Sequence, residues 1–317
     1  MKKTLLVTAM LAGLVSATAG AATVYDQDGT TMKVGGRVEA RGLFGDDVDG
    51  TMEDKSRARI NFKGKTQISD NLAGFGVMEY EIEAGEEEVS NRYLYAGLST
   101  DAGDFSYGRQ DTANVQISDM TDISSYHSGE QQYIGSASDK ENNTFLYSGA
   151  FSNLSVQANY IANGEEADED SSNDPEDAFG ISLLYSMDSG VDLGASYSDE
   201  DEENQATFAV AYTYENLYLA ASYAMGDVDV DTDNDDTVDT NMDFTSLEIA
   251  AQYKFTKEFR MIGIYSVAEQ EDEDVTDYVA LEGQYRFNSS IRGIISYKIN
   301  NMDDENDEIL AGLRYNF

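Results

Sequence analysis

Several residue types are nearly missing from this chain of 317 residues, and each gap removes a class of structure. Cysteine and tryptophan are absent, proline and histidine occur once each, and 20 basic residues stand against 61 acidic ones. Without cysteine, no disulfide can hold the fold together. A formal net charge of −41 repels nucleic acid, so we expect no such partner. With His127 as the only histidine, zinc sites and Ser-His-Asp catalysis lack their usual residues.

Long apolar runs are also missing. No stretch approaches ~18 consecutive apolar residues, so no transmembrane helix is expected. The N-terminus is typical of a secretory signal peptide: Lys2 and Lys3 precede a short apolar stretch over 4–15, and small residues at 19–21 form a cleavage site. We therefore expect residues 1–21 to be removed on export, which leaves one domain over 22–317.

What the chain does contain is the pattern of β-strands. Its 21 tyrosines, 13 phenylalanines and 27 glycines favour strands over helices. Apolar residues recur at every second position, and the last such face comprises Ile309, Ala311, Leu313, Tyr315 and Phe317. A half-buried strand of a soluble sheet would show this alternation, and so would the wall of a membrane barrel. Aromatic residues gather near the ends of the apolar rows, as at a membrane interface, and this favours the barrel.

Short turns and long acidic loops alternate along the chain, and together they delimit sixteen predicted strands. An even strand number places both termini on the short-turn side, and about sixteen strands leave a water-filled lumen. We therefore predict an all-β fold, a 16-stranded antiparallel transmembrane β-barrel. The predicted strands are 31–44, 54–66, 72–84, 90–99, 103–109, 141–148, 153–163, 177–186, 191–198, 205–214, 217–225, 243–255, 258–269, 276–287, 290–300 and 307–317.

The acidic loops have two interpretations: a solvated surface, or a surface that bridges divalent cations and attracts cations to a pore mouth. Alternate aspartates from Asp229 to Asp235 resemble a calcium loop but lack its glycine and closing glutamate. No nucleophile elbow or phosphate-binding loop is present. The sequence thus points to no catalytic residue, metal or cofactor. A barrel hydrolase is the weakest alternative and would depend on His127.

Four segments carry a resemblance to a known family. They are ATVYDQDGTTMKVGGRVEAR (22–41), RARINFKGKTQISDNLAGFGVMEYE (57–81), RYLYAGL with DFSYGRQD (92–111), and the terminal LAGLRYNF. The segment ENNTFLYSGAFSNLSVQANY (141–160) adds to them. With these segments the chain resembles the general diffusion porins of Gram-negative bacteria, in the osmoporin-type gamma-proteobacterial branch. The resemblance covers the whole of 22–317.

The resemblance implies a third loop folded into the lumen, whose acids face basic side chains on the wall. Carried over by motif, the basic residues of the constriction are Arg37, Arg59, Arg92 and Lys140, and the acids are Asp119 and Asp122. The alternative interpretation of the arginines is ordinary lumen charge that neutralises nearby acids. The proline- and glycine-containing signature that follows the acids in relatives is absent from 121–129.

The resemblance also implies a location and partners. We expect a multi-pass barrel in the outer membrane, in contact with lipid and lipopolysaccharide, forming a homotrimer although its second loop is short. Tyr315 and Phe317 would form the signal read by the outer-membrane assembly machinery. The expected function is passive diffusion of small hydrophilic solutes and ions, with a preference for cations. A channel specific for sugar or phosphate, and a non-conducting structural or adhesive barrel, remain alternatives.

Overall fold

The structure is a computed structural model, and it describes residues 21–48, 50–86, 88–162, 177–230, 240–271, 273–303 and 305–317. The predicted signal peptide, apart from Ala21, lies outside these ranges. So do most of the aspartates in the stretch that resembles a calcium loop. No helix within these ranges is both long enough and apolar enough to cross a membrane.

The described residues form eighteen strands, one short helix and one 3₁₀ turn. Their bounds are β1 Ala22–Gln27, β2 Thr30–Gly45, β3 Glu53–Asp54, β4 Arg57–Ser69, β5 Leu72–Glu83, β6 Ser90–Thr100, β7 Gly103–Gln110, α1 Val115–Ser118, the 3₁₀ turn Gly135–Ala137, β8 Glu141–Phe151, β9 Leu154–Ile161, β10 Ala178–Ser186, β11 Val191–Glu200, β12 Glu203–Tyr214, β13 Leu217–Val230, β14 Thr240–Lys254, β15 Phe259–Gln270, β16 Glu273–Arg286, β17 Ile291–Asn300 and β18 Glu308–Asn316.

The eighteen strands occupy sixteen positions around a closed antiparallel barrel. From β4 onward each strand pairs with the next, and β2 closes the ring between β4 and β18. β1 pairs with residues 30–34 of β2 and β18 with residues 37–45, so β1 and β18 lie in line along one edge of β2. The two residues of β3 pair with β2 just ahead of β4. The predicted 16-stranded barrel is therefore confirmed, and β1 is the strand that the prediction omitted.

The two faces of the wall differ in chemistry as the alternation predicted. On β12, Phe208 and Val210 are 53% and 44% exposed, whereas Gln205 and Thr207 are 1% and 0% exposed. The same contrast recurs on the other strands: large apolar side chains are exposed on the outer face, and buried polar side chains lie on the inner face. Lipid can solvate the outer face, and the ring that the described strands form is closed, so their backbone groups are paired within the membrane.

Local sequence explains how the strands begin and end. Asp28 and Gly29 both have positive φ, 52° and 73°, as a two-residue hairpin of type I′ requires, and they join β1 to β2. β13 and β14 extend further into the acidic loop than predicted. The reason is that Val228 and Phe244 on their inner faces are buried together with Ile134. The partner that stabilises this extension comes from a distant part of the chain.

Candidate pore site

The segment 111–140, which joins β7 to β8, hydrogen-bonds to inner-face side chains of the barrel wall from β9 onward. The backbone N–H of Ala113 donates to Asn159 Oδ1 at 2.8 Å, and Ser196 Oγ donates to Asn114 Oδ1 at 2.6 Å. Further along, the segment forms hydrogen bonds with β13, β14 and β16. These bonds join Thr121 to Ser222, Gly129 to Glu248, Gln131 to Ser246 and Ser125 to Glu282.

Small residues on the wall make room for the apolar side of this segment. A Cβ added at Gly194 would lie 2.9 Å from Ile117 Cδ1 and 3.1 Å from Met120 Sδ. Ile117 and Met120 are buried against alanines on the inner faces of β12, β13 and β14. These are Ala209, Ala211, Ala220 and Ala250. The wall under the segment is therefore shaped to receive it.

A cavity of about 660 Å³ lies between the segment and the remaining wall. All six residues predicted for the constriction line it. The structure thus brings these basic and acidic side chains together at one cavity, although they are spread over residues 37–140 of the sequence. The charged residues that line the cavity are Arg37, Arg57, Arg59, Glu79, Arg92, Asp111, Asp119, Asp122, Asp139, Lys140, Arg260, Arg286, Arg292 and Arg314.

The basic side of the cavity is held by glutamates on neighbouring strands. Arg92 Nε lies 3.1 Å from Glu79 Oε1, and its Nη1 lies 3.0 Å from Glu81 Oε1. Arg59 also pairs with Glu81. These are charge-assisted hydrogen bonds between partly buried groups, which fix the orientation of each guanidinium. The arginines are therefore held in place while their outer edges face the cavity.

Glu39 is the centre of a second group. Its carboxylate, on a residue that is 1% exposed, lies 3.2 Å from Arg37 Nε and 2.6 Å from Arg57 Nε, and it also pairs with Arg314. The single carboxylate of Glu39 thus forms ion pairs with three arginines. Arg37 lies directly opposite Arg59 across the β2–β4 pair, a like-charge arrangement that would be unfavourable without these glutamates.

The acidic side consists of Asp119 and Asp122, which are both exposed to the cavity. Asp122 Oδ1 accepts a hydrogen bond from Ser128 Oγ at 2.6 Å. Enclosure by the barrel limits the hydration of Asp119 and raises its pKa to about 7, and the neighbouring Asp122 adds to this effect. Near neutral pH, the charge of Asp119 is therefore sensitive to small changes in pH.

Lys140 lies at the end of the segment, beside the basic wall. It pairs with Asp139, and its backbone N–H donates to Asp111 Oδ1 at 3.2 Å. Burial, together with the nearby charge of Arg92, lowers the pKa of Lys140 to about 8. Burial raises the pKa of Asp111, whose carboxylate accepts a hydrogen bond from the hydroxyl of Tyr93 at 2.9 Å. Lys140 thus lines the cavity beside the basic wall, and its role in a constriction stays a prediction.

His127 lies away from these groups. It is 5% exposed, and its Nδ1 is 3.9 Å from Glu308 Oε2. Burial lowers its pKa to about 4, and Lys298 contributes to the shift, so the imidazole is neutral at physiological pH. Within the described residues no serine hydroxyl hydrogen-bonds to it. This geometry offers no support for the hydrolase alternative.

At the C-terminus, the rings of Tyr315 and Phe317 are stacked on the outer face, 6.2 Å apart. The backbone of Phe317 exchanges two hydrogen bonds with Gly36, at 3.0 and 3.1 Å. The last residue is therefore part of the closed barrel.

The sequence prediction missed several residues that line the cavity or hold its arginines. They are Glu39, Arg57, Glu79, Glu81, Arg260, Arg286, Arg292 and Arg314. Alternation within single strands already places them on the inner face. Cross-strand register, which the sequence does not reveal, decides which of them meet.

The fold and cavity define a class of protein: a closed membrane β-barrel with a polar, charged interior. Comparison with known proteins narrows this class. A family model described as "Gram-negative porin" matches residues 27–317. Outer membrane protein U of Vibrio parahaemolyticus is 33% identical, with all of both chains covered. Outer membrane porin C of Salmonella typhimurium is 28% identical, with 96% of this chain and 97% of the relative covered.

Solved structures agree. The Salmonella typhi OmpF structure matches with a TM-score of 0.82 at 26% identity, covering 93% of this chain and all of the other. A trimer form of Vibrio cholerae OmpT matches with a TM-score of 0.70 at 18% identity, over 92% of this chain and all of the other. The chain belongs to the Gram-negative porin family and is a multi-pass β-barrel of the outer membrane. The family resemblance seen in the sequence is confirmed.

Proposed function

We propose that this porin is a passive diffusion channel for small hydrophilic solutes and ions, and that segment 111–140 narrows its lumen. The observation that carries the proposal is the cavity itself, with Asp119 and Asp122 on the segment and Arg37, Arg59 and Arg92 on the wall. Opposed charges across a narrow passage of low dielectric create a transverse field. Water and small polar solutes can align in such a field, whereas bulky apolar solutes lose hydration and pass slowly.

We further propose a preference for cations. The long-loop end of the barrel carries acids without a matching number of bases, for example Asp199, Asp201 and Glu202. A net charge of −41 raises the local cation concentration at that mouth. Lumen arginines oppose this effect, but the glutamates that pair with Arg37, Arg59 and Arg92 offset much of their charge.

Single-channel conductance in planar bilayers tests both points. Purified protein should form stable open channels in potassium chloride, and a salt gradient should give a reversal potential of cation-selective sign. An anion-selective reversal potential would refute the cation preference. A protein that inserts as a folded barrel without conducting would instead support the structural or adhesive alternative.

A homotrimer is part of the proposal. On the outer face of β4, β5 and β6, the small residues Gly64, Gly76 and Ala96 are direct cross-strand neighbours, and they make a smooth surface suited to close packing. The trimer form of Vibrio cholerae OmpT supports the same assembly. Gly76→Phe should shift the cross-linked trimer toward monomer, whereas Gly263→Phe, on the outer face of β15, should not. Equal trimer yields from the two variants would contradict this interface.

The second candidate function, a channel specific for phosphate, is favoured by one observation. That alternative requires a row of arginines along the lumen, and Arg286, Arg292 and Arg314 lie opposite one another on adjacent strands. A sugar channel would need a run of aromatics instead, and the aromatic residues that line the main cavity are Tyr93 and Tyr126. Saturation of phosphate flux at millimolar concentration would distinguish a specific channel from diffusion.

A further inference from the structure

Three arginines lie side by side near the short-turn end of the barrel, and two of them form no ion pair among the described residues. Arg286 of β16 lies directly opposite Arg292 of β17, which lies directly opposite Arg314 of β18. Arg314 pairs with Glu39, but within the described part of the chain neither Arg286 nor Arg292 forms an ion pair. Like charges in directly opposed positions are destabilising. Glu282 of β16 is the nearby acid that acts electrostatically on Arg292, but it forms no ion pair with Arg292 among the described residues. The row therefore carries more positive charge than its ion pairs compensate.

Arg260 of β15 extends the same cluster. Its Nε, at 2.9 Å, and its Nη2, at 2.6 Å, donate to Gln284 Oε1, which also accepts from Arg292 Nη1 at 2.9 Å. One amide oxygen is thus shared by two guanidinium groups. Arg260 Nη1 also donates to Gln252 Oε1 at 2.7 Å. These neutral amides hold Arg260 and Arg292 close together, and the nearby acid Glu282 compensates part of their charge without forming an ion pair among the described residues.

Gln284 is itself held from both sides. Its Nε2 donates to Ser125 Oγ of segment 111–140 at 3.0 Å and to Glu282. With the amide fixed, Oε1 points at the arginines, and the residue is 3% exposed. The cluster is therefore a built site on rigid strands and not a group of mobile surface side chains.

The cluster opens on two cavities at the short-turn end. Arg260, Arg286 and Arg292 line both the 660 Å³ cavity and a second cavity of about 640 Å³. Two further bases, Lys254 and Lys257, and one acid, Glu258, line the second one as well. A solute that leaves the constriction toward the turns would therefore pass these arginines.

We propose that Arg260, Arg286 and Arg292 form a binding site for a multivalent oxyanion of the phosphate type. Arg292 uses Nη1 on Gln284, and Arg286 uses Nη2 on the carbonyl of Lys257 at 2.7 Å. The remaining donors of both groups have no acceptor within the described residues, so they are available to a ligand. A tetrahedral oxyanion offers several acceptors in the geometry that guanidinium groups match. Its two negative charges also match the two positive charges of Arg286 and Arg292, which form no ion pair among the described residues.

The proposal that permeating solutes bind at this site rests on the channel function proposed above. The binding of the anion itself rests on these residues alone. The first experiment is therefore independent of conduction. Inorganic phosphate is titrated calorimetrically into the full-length protein in detergent, at low chloride, with acetate as the monovalent comparison. Saturable phosphate binding is expected, with acetate at least about tenfold weaker because it carries half the charge.

The variant R286Q/R292Q should weaken phosphate binding about tenfold or more, since it removes two charged donors. The control K33Q/K65Q removes the same charge near the short-turn ends of β2 and β4 and should leave binding within about twofold. R286K/R292K keeps the charge but loses the planar fork, so its affinity should fall between the two. Circular dichroism confirms that each variant keeps its strands.

Equal loss of phosphate affinity in R286Q/R292Q and K33Q/K65Q would overturn the proposal, because it would show that binding depends only on the net charge of the protein. Absence of saturable binding by the unaltered protein would also overturn it. The second experiment adds phosphate to bilayers that already conduct in potassium chloride. Phosphate should reduce chloride current in the unaltered channel and not in R286Q/R292Q. If no channel conducts although phosphate binds, the proposed function fails and the binding site stands.

Discussion

The inner wall of this barrel has two halves with different chemistry. Strands β9 to β14 carry mainly serine, threonine, glutamine and alanine on their inner faces, and segment 111–140 covers them. Strands β2, β4, β6 and β15 to β18 carry the arginines that line the cavity, and β5 between β4 and β6 carries Glu79 and Glu81. The segment also packs on part of β15 and β16. Acids occur on both halves but do different things. Glu248 accepts N–H groups of the segment, whereas Glu39 and Glu81 hold arginines. The half that packs against segment 111–140 is therefore rich in small and neutral polar residues, and the half that lines the water-filled cavity is rich in charged ones.

The largest expected effect comes from removing the central acid of the charged half. Glu39→Gln leaves Arg37, Arg57 and Arg314 without their shared carboxylate, so the free energy of unfolding should fall by about 3 kcal/mol. The added positive charge should also shift the reversal potential toward anions. Urea unfolding in lipid vesicles and bilayer recordings measure the two effects.

Glu83→Gln is the matched control, because Glu83 is exposed on β5 and forms no ion pair among the described residues. It should change the unfolding free energy by less than about 0.5 kcal/mol. If the two glutamine variants were equally stable, the Glu39 cluster would contribute nothing to holding the arginines in place.

A larger side chain on the wall beneath segment 111–140 tests the covered half. Gly194→Val places methyl groups where Ile117 Cδ1 and Met120 Sδ already lie 2.9 and 3.1 Å from an ideal Cβ. We expect a loss of about 1–3 kcal/mol and a lower single-channel conductance, because the segment can move only toward the cavity. Gly263→Val adds the same groups where the nearest atom is 3.5 Å away. An unchanged conductance in Gly194→Val would show that the segment does not limit the current.

A pH titration sharpens the comparison across the cavity. The pKa of Asp119 is raised to about 7, so this carboxyl is charged at pH 8 and mostly protonated at pH 5. Cation permeability relative to chloride should therefore fall by a factor of about 1.5–2 as pH drops through this range. Asp119→Asn should remove most of this change and leave the part that comes from Lys140, whose pKa is about 8, whereas Asp188→Asn, at an exposed turn, should keep the change in full. A titration of undiminished size in Asp119→Asn would assign it to another group.

The sequence predicts the strands and their faces because alternation is a local property. Resemblance to a family adds the positions of Arg37, Arg59 and Arg92, which all line the cavity. Neither source reveals that Glu39 meets Arg57 and Arg314, because that contact depends on register across three strands. Likewise, Ala209 and Ala220 look like ordinary strand residues until segment 111–140 packs on them. Local pattern thus predicts the barrel, and long-range packing determines the site.

The smallest expected effect is a difference in stability between alanine variants of two buried serines, one on each half of the wall. Ser196 on β11 donates to Asn114 Oδ1 of the segment at 2.6 Å, whereas Ser296 on β17 has no hydrogen-bond partner for its hydroxyl among the described residues. Ser196→Ala should therefore cost about 1 kcal/mol, and Ser296→Ala should be neutral within about 0.5 kcal/mol. Parallel urea unfolding measures both variants. Equal costs would mean that the bond between Ser196 and Asn114 adds no net stability, so that this contact with the covered half does not help to hold 111–140.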